Sequence, residues 1–108
     1  MKKGEIWLVD IPDSNGHEQI GTRPVIVLSE AEANITVIIP FTSNLQALQY
    51  PHTLEVRPSK TNALDTISVA LVFQIRAIDK KRLKSKMGIL EDSILKEVEN
   101  MLRKLLHL

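Results

Sequence analysis

The chain lacks cysteine altogether among its 108 residues. This absence excludes disulfide bonds, thiolate metal sites and cysteine nucleophiles, and it is compatible with a reducing cytosol. Long apolar runs are also missing, since the longest, such as residues 69–73, fall far short of the roughly 18 residues of a membrane-spanning helix. The apolar patch at residues 6–9 is too short for a signal peptide. We therefore predict a soluble, cytoplasmic protein that does not bind a membrane.

Histidines and glycines are few and scattered. The three histidines, His17, His52 and His107, have none of the spacings that are typical of metal ligands. The four glycines form no phosphate-binding loop. The sequence therefore predicts neither a metal site nor a cofactor.

Aromatic residues make up only 4% of the chain. Trp7 lies in the first apolar stretch and is expected to belong to the core. Phe41 and Tyr50 are candidates for stacking on an unpaired base, although packing is the favoured interpretation for both. The aromatic content alone therefore does not indicate a nucleic-acid interface.

Positive charge is concentrated in one segment, although the net charge of the chain is only +1. Its basic residues are Arg76, Lys80, Lys81, Arg82, Lys84 and Lys86. This segment is interpreted either as a solvated helix and turn or as a surface that follows nucleic-acid phosphates. Both interpretations predict exposure, so the cluster alone does not decide between them.

The order of apolar patterns predicts several short strands followed by one helix. Strands are expected at residues 5–10, 25–29, 36–41, 53–56, 67–74 and 75–78. Because proline has no amide donor, Pro24 should lie at the start or edge of its strand. Apolar residues at helical spacing predict an amphipathic helix at residues 92–106. A single domain, residues 1–108, is expected to be α+β, with a small curled antiparallel sheet or barrel and a packed terminal helix.

Two strand ends carry the side chains that suggest chemistry. Arg23 opens the second predicted strand, and Thr42 and Ser43 close the third. Neighbouring strands marked in this way would bring a guanidinium and a hydroxyl together at one rim of the sheet. A guanidinium offers phosphate oxygens a planar fork of donors. This pairing therefore predicts a site that cleaves the phosphodiester backbone of RNA.

Four motifs occur in an order that resembles the MazF/PemK toxins. They are Gly4-Glu5-Ile6-Trp7, Glu18-Gln19-x-Gly21-Thr22-Arg23-Pro24-Val25, Thr42-Ser43 after a strand, and Gln74-Ile75-Arg76-Ala77-Ile78-Asp79-Lys80-Lys81-Arg82-Leu83. The resemblance spans essentially the whole chain. It implies an SH3-like barrel, a homodimer, and a metal-independent, sequence-selective endoribonuclease that cuts single-stranded mRNA. It also implies a partner, a small antitoxin protein whose disordered tail covers the RNA groove.

The resemblance assigns roles to individual residues. By position, it makes Arg23 and Thr42 the catalytic residues. The residues that it places beside the RNA are Gln19, Thr22, Ser43, Gln74 and Arg76. Two positions depart from the family pattern, because Phe73 stands where an acidic residue is frequent and His17 stands where serine is common. Both positions are expected to influence base selection, so the recognised RNA sequence stays open.

The cleavage chemistry requires more than the arginine. When the ribose 2′-hydroxyl attacks phosphorus, negative charge builds on the non-bridging oxygens, and a fixed guanidinium at Arg23 would stabilise it. A guanidinium stays protonated near neutral pH and is therefore a poor base. Glu18 and His17 are the two candidates for the general base, and Glu18 is equally well interpreted as an ion-pair partner of Arg23. The expected products are a 2′,3′-cyclic phosphate and a 5′-hydroxyl.

Two alternative functions belong to other classes. CcdB-like gyrase poisons share a similar fold, but they act largely through a tryptophan-containing chain end, whereas this chain ends Leu105-Leu106-His107-Leu108. A catalytically silent SH3-like module that binds RNA or a peptide is the second alternative. The presence of both Arg23 and Thr42 argues against it.

Overall fold

The computed structural model describes residues 2–11, 21–30 and 33–108. Within them lie seven strands and one α-helix: β1 Glu5–Ile11, β2 Gly21–Glu30, β3 Ile35–Thr42, β4 Thr53–Val56, β5 Ser68–Leu71, β6 Arg76–Asp79, β7 Leu83–Ile89 and α1 Asp92–Leu106. Three short 3-10 turns lie at Leu45–Gln49, Val72–Gln74 and Lys80–Arg82. Of the residues singled out from the sequence, His17, Glu18 and Gln19 lie outside this described part.

The strands form an antiparallel sheet in the order β4-β5-β3-β2-β1-β7, and β6 pairs with β3. On the edge opposite β2, β3 has two successive partners, because Ile35 to Ile38 pair with β6 while Phe41 and Thr42 pair with β5. A strand that changes partners in this way makes a corner in the sheet. The fold class predicted from the sequence, an antiparallel sheet with a packed C-terminal helix, is confirmed.

The two faces of β2 enter different apolar clusters. Ile26 and Leu28 belong to the larger cluster, which α1 covers through residues such as Val98. Val25 and Val27 belong to the second cluster. β2 is therefore buried on both of its faces from Val25 to Leu28. Among the described residues, no helix is both long enough and apolar enough to cross a membrane.

Three features of the structure differ from the elements expected from the sequence. β2 begins at Gly21, so Pro24 lies inside the strand, opposite Leu8 of β1. The β2–β3 ladder stops at Val25, so no hydrogen-bond donor to β3 is needed at Pro24. This end of the ladder lets the strand tolerate the proline. The strand expected at residues 67–74 ends at Leu71 and turns into a 3-10 helix.

The third difference concerns residues 83–89, which the sequence suggested only as a charged segment. They form β7, which pairs with the free edge of β1. Basic side chains such as Lys84 and Lys86 are exposed on this strand. Charged residues on an edge strand oppose pairing with further chains, so an edge position accounts for a composition that does not look like a typical strand.

Candidate functional site

The β2–β3 ladder ends where both strands carry a proline. Val25 and Pro40 form the last pair of this ladder, and from Phe41 onward β3 pairs with β5, on its other edge. Neither Pro24 nor Pro40 can donate a backbone hydrogen bond, so the two strands part at this point. Arg23 and Thr42 lie just beyond this last pair, each two residues further along its own strand. Both line the same two cavities, so the structure brings together the two side chains that the sequence placed at one rim.

Arg23 and Thr42 line two separate cavities, which identifies them as a ridge between the cavities. Each cavity has a volume of about 190 Å³. The ridge residues are half-buried, so the rest of the protein limits their movement while one side of each stays accessible. A phosphate that lies on this ridge would have one nucleotide over each cavity.

The first cavity combines aromatic rings with polar and cationic groups. Its lining residues, besides the ridge, are Pro40, Asn44, Ala47, Tyr50, Leu71, Phe73, Gln74 and Arg76. Tyr50 and Phe73 are exposed and contact each other with ring centroids 6.2 Å apart. Such a surface offers both a flat apolar wall and hydrogen-bond donors.

The second cavity is bordered by hydroxyl groups and one carboxylate. Its lining residues, besides the ridge, are Thr22, Pro24, Phe41, Ser43, Leu64, Asp65, Thr66 and Ser68. Of these, Phe41 and Leu64 are buried and form the floor, while Asp65 and Thr66 are exposed. Apart from the shared Arg23, the two cavities therefore differ in the sign of their charged groups, with Arg76 in the first and Asp65 in the second.

The Thr42 hydroxyl is held by the backbone that follows it. The Asn44 amide donates to Thr42 Oγ1 at 3.2 Å. Because this bond uses one lone pair of the hydroxyl, the O–H remains available as a donor to an oxygen placed on the ridge. The arrangement suits a group that donates to a phosphate, and it provides no base to activate Thr42 as a nucleophile.

The loop that borders the second cavity is fixed by Asn62, which is completely buried. Its Oδ1 accepts from the amides of Ser59 and Leu64, each at 3.0 Å. Its Nδ2 donates to the Arg57 carbonyl at 2.9 Å and to Glu91 Oε1 at 3.1 Å. This network ties the wall of the second cavity to the start of α1.

Close packing against β7 supports the same loop. A Cβ on Gly88 would lie 2.4 Å from the Thr61 carbonyl oxygen, a distance that backbone atoms cannot tolerate. The Ile89 amide donates to that carbonyl oxygen at 2.9 Å. Only glycine at position 88 lets the loop approach the strand so closely.

Four carboxyl groups among the described residues have lowered pKa values, and all of them, Glu5, Glu30, Glu91 and Glu99, lie outside the two cavities. A hydrogen bond from Trp7 lowers the pKa of Glu5, with help from Lys86 at 3.3 Å, against the opposing effect of burial. Burial acts to raise the pKa of Glu91, but hydrogen bonds from Ser59, the backbone and Asn62 outweigh it, so the pKa is lowered. Glu5 and Glu91 therefore favour the ionised form and serve the scaffold.

The predicted site residues are distributed over the ridge and the two cavities. Thr22 and Ser43 line the second cavity, and Gln74 and Arg76 line the first. Of the basic segment at residues 76–86, only Arg76 is among these lining residues. Lys80, Lys81 and Lys86 are instead ion-paired with Glu30, Asp79 and Glu5, respectively. The segment as a whole is thus an exposed turn and edge strand.

Sequence reasoning missed most of the cavity walls. Tyr50 was expected to pack, but 54% of it is exposed and it faces the first cavity. The 3-10 turn Leu45–Gln49, which carries Tyr50 into place, lies between two predicted strands, where the sequence predicted no helix or strand. The sequence feature that could have predicted this turn is Asn44, whose side chain caps it by accepting from the Gln46 amide at 3.1 Å. Phe41 and Trp7, by contrast, pack in or against the apolar clusters as expected.

Known proteins are similar to this chain in sequence and in fold. An endoribonuclease MazF from Staphylococcus saprophyticus is 36% identical over 104 residues, which cover 93% of this chain and 86% of the relative. The crystal structure of MazF from Deinococcus radiodurans superposes with a TM-score of 0.78 at 27% identity and covers 100% of this chain and 97% of that chain. MazE-MazF from the same organism gives a TM-score of 0.75 at 26% identity, with coverage of 100% and 96%.

The family profile described as "PemK-like, MazF-like toxin of type II toxin-antitoxin system" matches residues 2–106. This match includes both ridge residues, both cavity walls and all of the helix. The chain belongs to the PemK-like, MazF-like toxins of type II toxin–antitoxin systems.

Proposed function

We propose that this protein is a toxin that cleaves single-stranded mRNA in the cytoplasm, as a sequence-selective endoribonuclease that needs no metal or other cofactor. The observation that carries this proposal is the ridge of Arg23 and Thr42 between two exposed cavities. Family membership and the relative named as an endoribonuclease support the activity. Neither favours a gyrase poison or a silent binding module.

In the proposed reaction, the ribose 2′-oxygen attacks the adjacent phosphorus while the bond from phosphorus to the 5′-oxygen breaks. A base accepts the 2′-hydroxyl proton, and the departing 5′-oxygen takes up a proton. The products are a 2′,3′-cyclic phosphate and a 5′-hydroxyl. Glu18 and His17 remain the candidates for the base, and both lie outside the described residues.

Arg23 and Thr42 act on the charge that develops during this step. The guanidinium donates to non-bridging oxygens, whose negative charge grows as phosphorus becomes five-coordinate, and the Thr42 hydroxyl donates to the same group. Because these interactions strengthen in the transition state, they raise the rate of cleavage more than the affinity for RNA. Thr22, Ser43, Gln74 and Arg76, together with Gln19, would hold the nucleotides on either side.

A homodimer and a protein antitoxin complete the proposal. Antiparallel edge strands and exposed apolar residues such as Ile35, Leu106 and Leu108 give a second copy a surface to cover. MazE-MazF of Deinococcus radiodurans shares this fold, which supports an antitoxin partner for this chain as well.

The decisive experiment incubates the purified protein with a long RNA in EDTA and maps the fragment ends. Cuts at one short motif, with 5′-hydroxyl termini, are expected from the unmodified chain, and no such cuts from Arg23→Ala. Arg57→Ala is the matched control, because Arg57 is an exposed arginine that lines neither cavity. Normal cleavage by Arg23→Ala would show that the site is wrong, and absence of cleavage by the unmodified, folded protein would refute the activity.

A further inference from the structure

The first cavity has an aromatic wall that the cleavage chemistry does not use. The chain has only four aromatic residues of the Phe, Trp and Tyr type, and two of them, Phe41 and Trp7, pack in or against the sheet. The other two, Tyr50 and Phe73, are 54% and 38% exposed and meet beside the ridge. Two of the four aromatic side chains are therefore exposed next to each other on the surface.

Hydrogen bonds fix the two rings relative to each other. The Tyr50 amide donates to the Ala47 carbonyl at 3.1 Å, which closes the 3-10 turn beneath the ring. The Thr53 hydroxyl donates to the Tyr50 carbonyl at 2.8 Å. The Phe73 amide donates to the His52 carbonyl at 3.3 Å, so the segments that carry the two rings are joined directly. A wall that is already formed loses little conformational entropy when a ligand stacks on it.

The remaining groups of the cavity are suited to the edge of a flat ligand. Gln74 and Arg76 are exposed, and neither forms a hydrogen bond or ion pair with another described residue through its side chain. The side-chain oxygen Oδ1 of Asn44 already accepts from the Gln46 amide. Arginine only donates, so an edge that carries a carbonyl oxygen is a better partner for Arg76 than one that carries an amino group.

We propose that Tyr50 and Phe73 form a stacking wall for the unpaired base next to the scissile phosphate, and that Arg76 selects guanine or uracil over adenine or cytosine there. This inference rests on the proposed function, because the ridge locates the phosphate. The cavity, of about 190 Å³, has room for one base and not for a base pair. Stacking on aromatic side chains is a common way in which proteins bind single-stranded RNA.

The test measures binding separately from cleavage. The probes are 2′-O-methyl RNA octamers of uridine and of cytidine, which lack the nucleophile and so bind without being cut. Tyr50 is the only tyrosine, so its ring resonances in NMR report stacking on this wall without ambiguity. We expect these resonances to shift with the uridine octamer, whether or not the protein cleaves RNA.

Three variants give the quantitative test. Tyr50→Ala and Phe73→Ala should each weaken binding of the uridine octamer by roughly 5- to 150-fold. Leu48→Ala should not, because Leu48 is as exposed as Phe73, at 38%, but does not line the cavity. Phe73→Tyr keeps a ring and should bind normally, and thermal unfolding of each variant confirms that it is folded. Unchanged binding by both alanine variants would overturn the stacking wall.

The uridine and cytidine octamers test the base preference. Their rings are of equal size, and their edges differ at two positions: uracil has a carbonyl oxygen and an N3–H donor where cytosine has an amino group and an N3 acceptor. Uridine should bind several-fold more tightly, and Arg76→Gln should reduce that difference. Equal affinity in the unmodified protein would overturn the role of Arg76. Cleavage with no effect of the wall variants would refute this inference alone, whereas octamer binding without any cleavage would refute the proposed function alone.

Discussion

The two cavities beside the ridge are equal in volume and opposite in chemistry. The first has two aromatic rings, an amide side chain and Arg76, whereas the second has hydroxyl groups and the carboxylate of Asp65. The walls are also built differently. Short 3-10 turns form the first wall, and a loop around the fully buried Asn62 forms the second.

Under the proposed function, this difference would allow one small sheet to distinguish the two directions of an RNA strand. A site with two identical cavities would bind the strand in either direction, whereas these two cavities present different groups to the nucleotides on either side of the phosphate. In that proposal the ridge supplies the catalytic groups and the cavities supply the selection. Substitutions in the three regions should therefore affect different kinetic parameters.

The largest effect is expected from the ridge. Arg23→Ala should lower kcat by about 100- to 1,000-fold with little change in KM, because the lost interaction is made mainly in the transition state. The kcat of Arg23→Lys should lie between those of the unmodified protein and Arg23→Ala, since lysine keeps the charge but not the planar fork of donors. Steady-state cleavage of a mapped RNA at varied substrate concentration gives both parameters.

The wall variants provide the contrast for this experiment. Tyr50→Ala should raise KM and leave kcat closer to normal, since stacking holds the substrate before and during the reaction. A rise in KM for Arg23→Ala without a fall in kcat would mean that Arg23 only binds RNA.

The second largest effect compares the asparagines that support the two cavities. Asn62→Ala leaves several buried donors and acceptors without partners and should lower the free energy of unfolding by about 3 kcal/mol. Asn44→Ala removes a single exposed cap and should cost about 1 kcal/mol or less. Urea denaturation of both variants measures the difference. Equal losses would show that the two walls are equally stable, contrary to the structural comparison.

The sequence predicted the ridge and the helix well because both depend on local patterns. The apolar stripe set the helix at residues 92–106, which are its observed bounds. Thr42 ends β3 and Arg23 lies near the start of β2, and the pairing of these two neighbouring strands brings both residues to the same cavities. Pro24 gave a further signal. The sequence placed it at the start or edge of a strand, whereas in the structure it lies inside β2, next to the end of the β2–β3 ladder at Val25.

The cavity walls depend on contacts between distant parts of the chain, which local patterns do not reveal. The contact of Tyr50 with Phe73 joins residues on either side of two strands, and the bond from Asn62 to Glu91 spans a similar separation. Asn62 itself lies between the strands predicted at residues 53–56 and 67–74, where the sequence predicted no element. Its complete burial follows from the approach of its loop to Gly88, which depends on tertiary packing.

A smaller effect is expected from pH, and it should be specific to the second cavity. The pKa of Glu91 is lowered in the folded protein, because its hydrogen bonds outweigh the opposing effect of burial. Its contribution to stability is therefore fully present above the unfolded pKa of a glutamate, about 4.3, and is lost as the pH falls through the lower folded value. The melting temperature of Glu91→Gln should thus be below that of the unmodified protein at pH 6, and the gap should narrow towards pH 3. A gap that stays constant would mean that the carboxylate charge does not matter.

The smallest effect is expected from Asp65, the acidic group of the second cavity. Its carboxylate is exposed and lies beside the position proposed for a phosphate, so like charges repel across partly screened solvent. Asp65→Asn should lower KM for RNA by roughly two- to fivefold at low salt, and the gain should vanish at high salt. Glu97→Gln makes the same change of charge on an exposed position of α1, outside both cavities, and should alter KM less. If Asp65→Asn instead raised KM, the carboxylate would be accepting a hydrogen bond from a base, and the second cavity would read amino groups as the first reads carbonyl oxygens.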